Sequence, residues 1–146
     1  MDEERDYGSH LPVLKALLAQ HQPKLILELG SGLNSTPAFL SRPEVVRVVS
    51  VEPDREWRQI VSEACQDERL VLRPELDVDP SDFDLVFIDD GTNLNHRLET
   101  INRVLQPDHP LTVIHDADVP EYLAAIRKAA MNYKIVNTDP PTAVCW

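Results

Sequence analysis

The chain has little positive charge and few cysteines. Its 146 residues include 25 Asp and Glu but only 14 Lys and Arg, which gives a formal net charge of -11. Because nucleic-acid binding depends on a basic surface, we expect no nucleic-acid partner. Cys65 and Cys145 lie far apart in the sequence and form no CxxC pattern. This spacing argues against a disulfide framework and against a structural zinc site.

Long apolar segments are also missing from the sequence. No apolar run approaches the roughly 18 residues that predict a membrane-spanning helix. The first residues, MDEERDYG, are acidic where the start of a secretory signal peptide is basic. We therefore expect a cytoplasmic protein with no membrane partner. The length predicts a single domain over residues 1–146.

The sequence alternates between strand-like and helix-like segments. The apolar, β-rich segments that predict strands are residues 24–29, 45–51, 70–73, 84–88 and 111–114. The helical spacing of apolar residues predicts helices over residues 10–20, 35–42, 55–66, 94–106 and 119–130. Two last strands, residues 133–136 and 143–146, flank a proline-rich turn, whereas the link 74–83 is too short to favour a helix. The alternation predicts an α/β fold, a doubly wound and mostly parallel sheet with a C-terminal antiparallel hairpin.

The ends of the first two predicted strands carry a candidate ligand site, because open parallel sheets bind ligands beyond the carboxyl ends of their strands. The chain has only 4 glycines, and Gly30 and Gly32 stand together after the first strand, where they let backbone N–H groups approach a ligand. Ser35 and Thr36 can cap the helix that follows. Glu52 ends the second strand and can accept both hydroxyl hydrogens of a ribose. The set indicates a nucleoside ligand, with an ordinary strand-to-helix turn as the alternative.

The charge pattern helps to separate two nucleoside cofactors. Ser35 stands where the dinucleotide-binding pattern GxGxxG has its third glycine, which weakens the case for NAD. Residues 75–90 contain seven acids and no base, a composition that suits a cationic ligand better than a pyrophosphate.

Two histidines are candidate proton acceptors, since an imidazole can take up a proton near neutral pH. His115 ends the fifth predicted strand beside Asp116, and His96 opens the fourth predicted helix. Each also has a structural alternative. His115 could shape the strand end through a hydrogen bond, and His96 could cap its helix.

Four motifs give the chain a family resemblance. ELGSG, SVEPD, FDLVFIDDG and LTVIHDAD resemble, in order and spacing, the class I S-adenosylmethionine-dependent methyltransferases over nearly the whole chain. The resemblance implies a minimal, Rossmann-like methyltransferase fold that binds S-adenosylmethionine. It implies that Glu28, Gly30 and Gly32 form the wall of the methionine side. It further implies that Glu52 binds the ribose hydroxyls and that Asp89 lies near the sulfonium.

The resemblance also implies weaker candidates around the cofactor. Glu75 or Leu76, just after the third predicted strand, would border the adenine. In a small-domain branch of the superfamily an upstream Tyr and His fold over the cofactor, which makes Tyr7 and His10 candidates for that role.

A divalent metal is not assigned from the sequence. Asp89 and Asp116 align with two residues that help to bind a divalent cation in catechol-type O-methyltransferases, but Ala117 stands where that family has an asparagine. Asp118 could replace the missing amide, and such oxygen ligands would suit Mg²⁺ or Ca²⁺.

We interpret the sequence as that of a methyltransferase acting on an O or N atom of a small-molecule acceptor. Residues Asp89, His96, His115 and Asp116 would surround the transfer site. The alternatives are a catalytically inactive cofactor-binding or scaffold protein and, less favoured, an NAD-dependent oxidoreductase. Because the short chain has no inserted lid, a homodimer could cover the cofactor.

Overall fold

The computed structural model describes residues 10–91 and 93–146. The helices in this part of the chain are α1 (Leu11–His21), α2 (Ser35–Leu40), α3 (Arg55–Ala64), α4 (Leu94–Val104) and α5 (Pro120–Ala129). The strands are β1 (Leu25–Leu29), β2 (Arg47–Val51), β3 (Leu70–Arg73), β4 (Leu85–Ile88), β5 (Leu111–His115), β6 (Tyr133–Val136) and β7 (Thr142–Cys145). Among these elements, no helix has the length and apolarity that crossing a membrane requires.

The strands form one sheet in the order β3-β2-β1-β4-β5-β7-β6. The first five strands in chain order pair in parallel, and β7 runs antiparallel to both β5 and β6. The chain moves outward from β1 to β3 in one direction and then from β4 outward in the other. The strand order therefore reverses between β1 and β4, where doubly wound sheets bind their ligands. The predicted fold class is confirmed.

Helices cover both faces of the sheet because its central strands are apolar on both sides. On one face, Leu14 of α1 and Phe39 of α2 pack against Ile26 and Phe87. On the other face, Ile101 of α4 and Ile126 of α5 belong to a cluster with residues of β1, β2 and β4. These two layers hold the carboxyl ends of the strands in fixed relative positions.

The element boundaries differ from the predicted ones by a few residues. The helix predicted over residues 35–42 ends at Leu40, and the helix predicted over residues 55–66 ends at Ala64. The link 74–83 contains only the 3-10 turn Pro80–Asp82, as its length and prolines indicated. The C-terminal hairpin is present, and its second strand, β7, is the one that pairs with β5.

Candidate active site

The turn after β1 lies against the turn after β4. The backbone N–H of Asp89 donates to the carbonyl of Leu29 at 2.8 Å, and that of Gly30 donates to the carbonyl of Val51 at 2.9 Å. Gly30 has φ +93°, and a Cβ added there would lie 2.3 Å from the backbone oxygen of Asp89. Only glycine allows this approach, because a side chain is disfavoured at that φ and has no room.

Glu28 lies beneath the glycine turn as a fully buried carboxylate. Its oxygens accept hydrogen bonds from the hydroxyls of Ser35 and Thr36, at 2.5 Å each, and of Ser50, at 2.6 Å. The Thr36 hydroxyl also accepts from the backbone N–H of Gly32 at 3.2 Å. The structure thus brings together four predicted cofactor residues, Glu28, Gly32, Ser35 and Thr36. The Glu28 carboxylate is already hydrogen-bonded to hydroxyl groups of the protein, and these bonds hold the turn in place.

Burial raises the pKa of Glu28 from 4.5 to about 7, although the three hydroxyl hydrogen bonds oppose the rise. An acid whose pKa is higher in the folded than in the unfolded state stabilises the fold at low pH, and this contribution is lost as the pH rises through the folded-state pKa. A rise of this size corresponds to about 3 kcal/mol.

We therefore expect Glu28→Gln to remove a decline in stability between about pH 4.5 and pH 7. The amide has the same shape and stays neutral, so the variant should be less dependent on pH than the wild type across this window. Urea unfolding at a series of pH values measures the effect, with the exposed Glu63→Gln as the control. Parallel curves for wild type and Glu28→Gln would contradict the prediction.

Glu52 follows β2 and is partly buried. Burial raises the pKa of its carboxyl group, and the backbone N–H of Asp54 donates to Oε2 at 3.0 Å. The Trp57 indole in α3 donates from Nε1 to the backbone oxygen of Ser31 at 2.7 Å, which ties this helix to the glycine turn. The sequence analysis did not identify Trp57, because nothing near it in the sequence indicates this contact.

A cavity of about 410 Å³ lies at the same edge of the sheet, and Val51 and Pro53, the chain neighbours of Glu52, line it. Pro53, Glu75 and Leu76 line one side of it, and His96 and Thr100 of α4 are among the residues that line the other. Its volume is within the range of small-molecule and cofactor sites. Glu75, the predicted neighbour of an adenine, therefore lines this cavity.

A buried arginine joins the ends of β4 and β5. Arg97 is 3% exposed, and it donates from Nε to the backbone oxygen of Asp90 at 2.6 Å and from Nη1 to that of His115 at 3.0 Å. Its guanidinium nitrogens also lie 3.5 Å from Asp89 Oδ1 and 3.6 Å from Asp116 Oδ2. One cation thus faces the predicted acidic residues of the transfer site.

The sequence analysis missed Arg97, although a signal for it was present. Arg97 falls three residues after Leu94 and four before Ile101, on the apolar stripe of α4. A charged residue at a core-facing position of a helix is rare unless it is paired. In the structure its guanidinium carbon lies 5.3 Å from the ring centre of Tyr122.

Two buried histidines, His10 and His115, are in contact near the ends of β4 and β5. His10 and His115 are both buried, and their ring centres are 4.8 Å apart. The His10 ring also lies 5.0 Å from that of Phe87. Burial, with the neighbouring His115, lowers the pKa of His10 to about 4, so its imidazole is neutral at physiological pH. His115 Nε2 lies 3.7 Å from Asp116 Oδ1.

The remaining candidates lie at different distances from this group. Burial is the main cause of a raised pKa at Asp89, which lies beside His115. His96 is further out, half exposed, with Nε2 3.1 Å from Asp90 Oδ2. Tyr7 lies outside the described residues.

The catechol-type cation set does not fit this chain. Ala117 is 1% exposed and offers no ligand atom.

No family model and no curated protein sequence matches this chain. Among solved structures, the methyltransferase domain of the bacterial CtHen1 superposes with a TM-score of 0.73 at 12% identity, covering 94% of this chain and 97% of that one. Spermidine synthase from Thermotoga maritima superposes with a TM-score of 0.71 at 15% identity, covering 98% of this chain and 60% of that one. A third structure is the Burkholderia thailandensis 1,6-didemethyltoxoflavin-N1-methyltransferase, solved with S-adenosylhomocysteine. It superposes with a TM-score of 0.62 at 19% identity, covering 99% of this chain and 79% of that one. The chain therefore has the Rossmann-like fold of the class I S-adenosylmethionine-dependent methyltransferases.

Proposed function

We propose that this protein transfers a methyl group from S-adenosylmethionine to an O or N atom of a small-molecule acceptor. The observation that carries the proposal is the cavity lined by Leu29, Val51 and Pro74 at the carboxyl ends of β1, β2 and β3, at the edge where the strand order reverses. Solved structures of the same fold include methyltransferases, one of them holding S-adenosylhomocysteine together with a small molecule.

The cofactor would lie along the carboxyl ends of β1, β2 and β3. Glu52 would accept hydrogen bonds from the ribose hydroxyls, and Glu75 would border the adenine within the cavity. Gly30 and Gly32 would let the backbone approach the methionine part of the cofactor. Glu28 would position the glycine turn, because its carboxylate is already hydrogen-bonded to hydroxyls of the protein.

The charges at the strand ends support a cationic cofactor. Asp89, Asp90 and Asp116 outnumber the single guanidinium of Arg97 that they face, and a negative site attracts a sulfonium. S-adenosylmethionine would supply the methyl group. The protein would hold the acceptor in line and take up its proton.

Two pairs of side chains could accept this proton. His115 lies beside Asp116, and His96 lies beside Asp90, on the cavity side. Asp89, whose carboxyl pKa burial raises, would be a stronger base than an ordinary aspartate.

The pairing of the acids with Arg97 favours one alternative, a cofactor-binding protein without turnover. If Asp89 and Asp116 serve only to bury this arginine, the site would bind the nucleoside and catalyse nothing. Detection of methyl transfer to any acceptor in a screen with labelled S-adenosylmethionine separates the two functions.

The first test is calorimetric titration with S-adenosylmethionine, S-adenosylhomocysteine and NAD in parallel. We expect binding of the two sulfur nucleosides and none of NAD, since the glycine turn lacks the third glycine of the dinucleotide pattern. Binding of NAD alone, or of none of the three, would overturn the proposal.

Glu52→Gln should weaken the binding of S-adenosylhomocysteine by about 1 to 3 kcal/mol, the range for loss of charged hydrogen bonds. The same titration measures the effect, and thermal melting verifies that the variant is folded. Glu63→Gln, an exposed change on α3, is the matched control and should bind like the wild type. Equal affinity for wild type and Glu52→Gln would remove the ribose role from Glu52.

A further inference from the structure

We propose that His10, Asp89 and His115 form a binding site for a divalent transition-metal ion. This set differs from the oxygen set of the catechol-type enzymes, because it contains two imidazoles and one carboxylate. His10 comes from the start of α1, and the other two residues come from the ends of β4 and β5. The site is thus built from three separate parts of the chain.

The ligand atoms are close enough for one ion. One atom from each of the three residues lies within 4.8 Å of the others. Ligand atoms lie about 2.0 to 2.2 Å from such an ion, so in a tetrahedral arrangement two of them are about 3.5 Å apart. Side-chain movements of up to about 0.8 Å toward a common centre would therefore complete the coordination.

The imidazoles have unused nitrogen atoms. Among the described residues, neither ring nitrogen of His10 has a hydrogen-bond partner, and Nδ1 of His115 has none. His10 is 3% exposed and His115 is 5% exposed. A buried polar atom without a partner is costly, and native structures usually satisfy it with a protein group, a water molecule or an ion. His10 and His115 are in contact beside the Asp89 carboxylate, so a single bound ion would give both imidazoles a partner.

The surrounding charge supports a divalent cation. Three carboxylates, those of Asp89, Asp90 and Asp116, lie within 3.6 Å of the one guanidinium of Arg97. With neutral imidazoles the formal charge of this group is -2, which a divalent ion would balance. Asp116, 3.7 Å from His115 Nε2, would orient that imidazole.

The ligand types select the class of metal. Imidazole suits Zn²⁺, Fe²⁺, Co²⁺ and Ni²⁺, whereas Mg²⁺ and Ca²⁺ prefer oxygen ligands. Two histidines and one carboxylate also leave coordination positions open for a small molecule. If the proposed function holds, these positions would take oxygen or nitrogen atoms of the methyl acceptor, and His96 would take up the acceptor's proton, because His115 and Asp89 would bind the metal ion.

The test is titration of the chelator-stripped protein with Zn²⁺, Co²⁺ and Mg²⁺, followed by calorimetry and, for Co²⁺, by its visible absorption. We expect one Zn²⁺ or Co²⁺ ion to bind per chain, a rise in the melting temperature with Zn²⁺, and no comparable binding of Mg²⁺. His115→Ala should weaken Zn²⁺ binding at least about 10- to 100-fold, the loss typical even for residues that only orient a ligand.

His10→Phe is the sharpest variant, because the phenyl ring fills a similar space beside Phe87 and offers no ligand atom. It should fold and melt at least as high as the metal-free wild type, but Zn²⁺ should no longer raise its melting temperature. His21→Phe, a change at the exposed end of the same helix, is the control and should keep the response to Zn²⁺.

Unchanged Zn²⁺ affinity in His10→Phe, no binding of Zn²⁺ or Co²⁺ by the wild type, or equal binding of Mg²⁺ would overturn the metal site. Titration of the same metal-free protein with S-adenosylhomocysteine tests the proposed function separately from the metal site. Nucleoside binding without metal binding would refute this inference alone. Metal binding without nucleoside binding would refute the proposed function and leave the metal site standing.

Discussion

Replacing Arg97 with Met should lower the free energy of unfolding by about 3 to 5 kcal/mol, the usual cost of removing one partner from a buried ion pair. Methionine fills a similar space on α4 but leaves Asp89, Asp90 and Asp116 facing one another without a cation. It also removes two hydrogen bonds to backbone oxygens at the ends of β4 and β5. Both losses act on the edge of the sheet that carries the candidate site.

Urea unfolding monitored by circular dichroism measures this effect, and Arg127→Met, an exposed change on α5, is the control. Arg97→Lys should lose less stability than Arg97→Met and more than Arg127→Met. Its ammonium group keeps the positive charge but cannot donate to several acceptors in one plane as a guanidinium does. The deficit of Arg97→Met should shrink at acid pH, because protonation of Asp89, whose pKa burial raises, removes one of the unpaired charges. A loss below about 1 kcal/mol at neutral pH, the scale of a surface ion pair, would show that Arg97 is not the cation that holds this cluster.

Gly30→Ala should destabilise the fold by about 2 to 6 kcal/mol. This sum combines about 1 to 3 kcal/mol for a side chain at positive φ with about 1 to 3 kcal/mol for overpacking. The added Cβ would lie 2.3 Å from the backbone oxygen of Asp89, so the turns after β1 and β4 would have to separate. Any cofactor bound by those turns should bind less tightly as well.

Gly32→Ala is the matched control, because Gly32 has no positive φ and the nearest atom to its added Cβ would be the Ser35 hydroxyl, at 3.0 Å, with backbone atoms no nearer than 3.9 Å. Its melting temperature should fall much less than that of Gly30→Ala. If the two variants melted alike, the close contact between the two turns would not be what requires glycine at this position.

Much of the fold follows from local features of the sequence. The apolar strands LILEL and LVFI and the capping and breaking residues around them are short-range signals. They were sufficient to predict seven strands and five helices, and the structure confirms these elements with small shifts at their ends. The order of motifs then indicated the methyltransferase fold, which the comparisons with solved structures confirm.

The site was predictable in part, for the same reason. Gly30, Glu52 and Asp89 directly follow strands, and the carboxyl ends of parallel strands meet at one edge of a sheet. Their common location could therefore be inferred from the sequence. Their roles toward a cofactor remain predictions.

The sequence by itself thus determined which elements form and at which edge the polar residues collect, since both depend on neighbours in the chain. Only the tertiary structure decided how these residues pair. Glu28 is engaged by three hydroxyls beneath the turn, Arg97 faces inward against three carboxylates, and His10 meets His115 from the opposite end of the chain. Such contacts join residues distant in sequence, and the packing of helices on the sheet, which no local pattern encodes, brings them together.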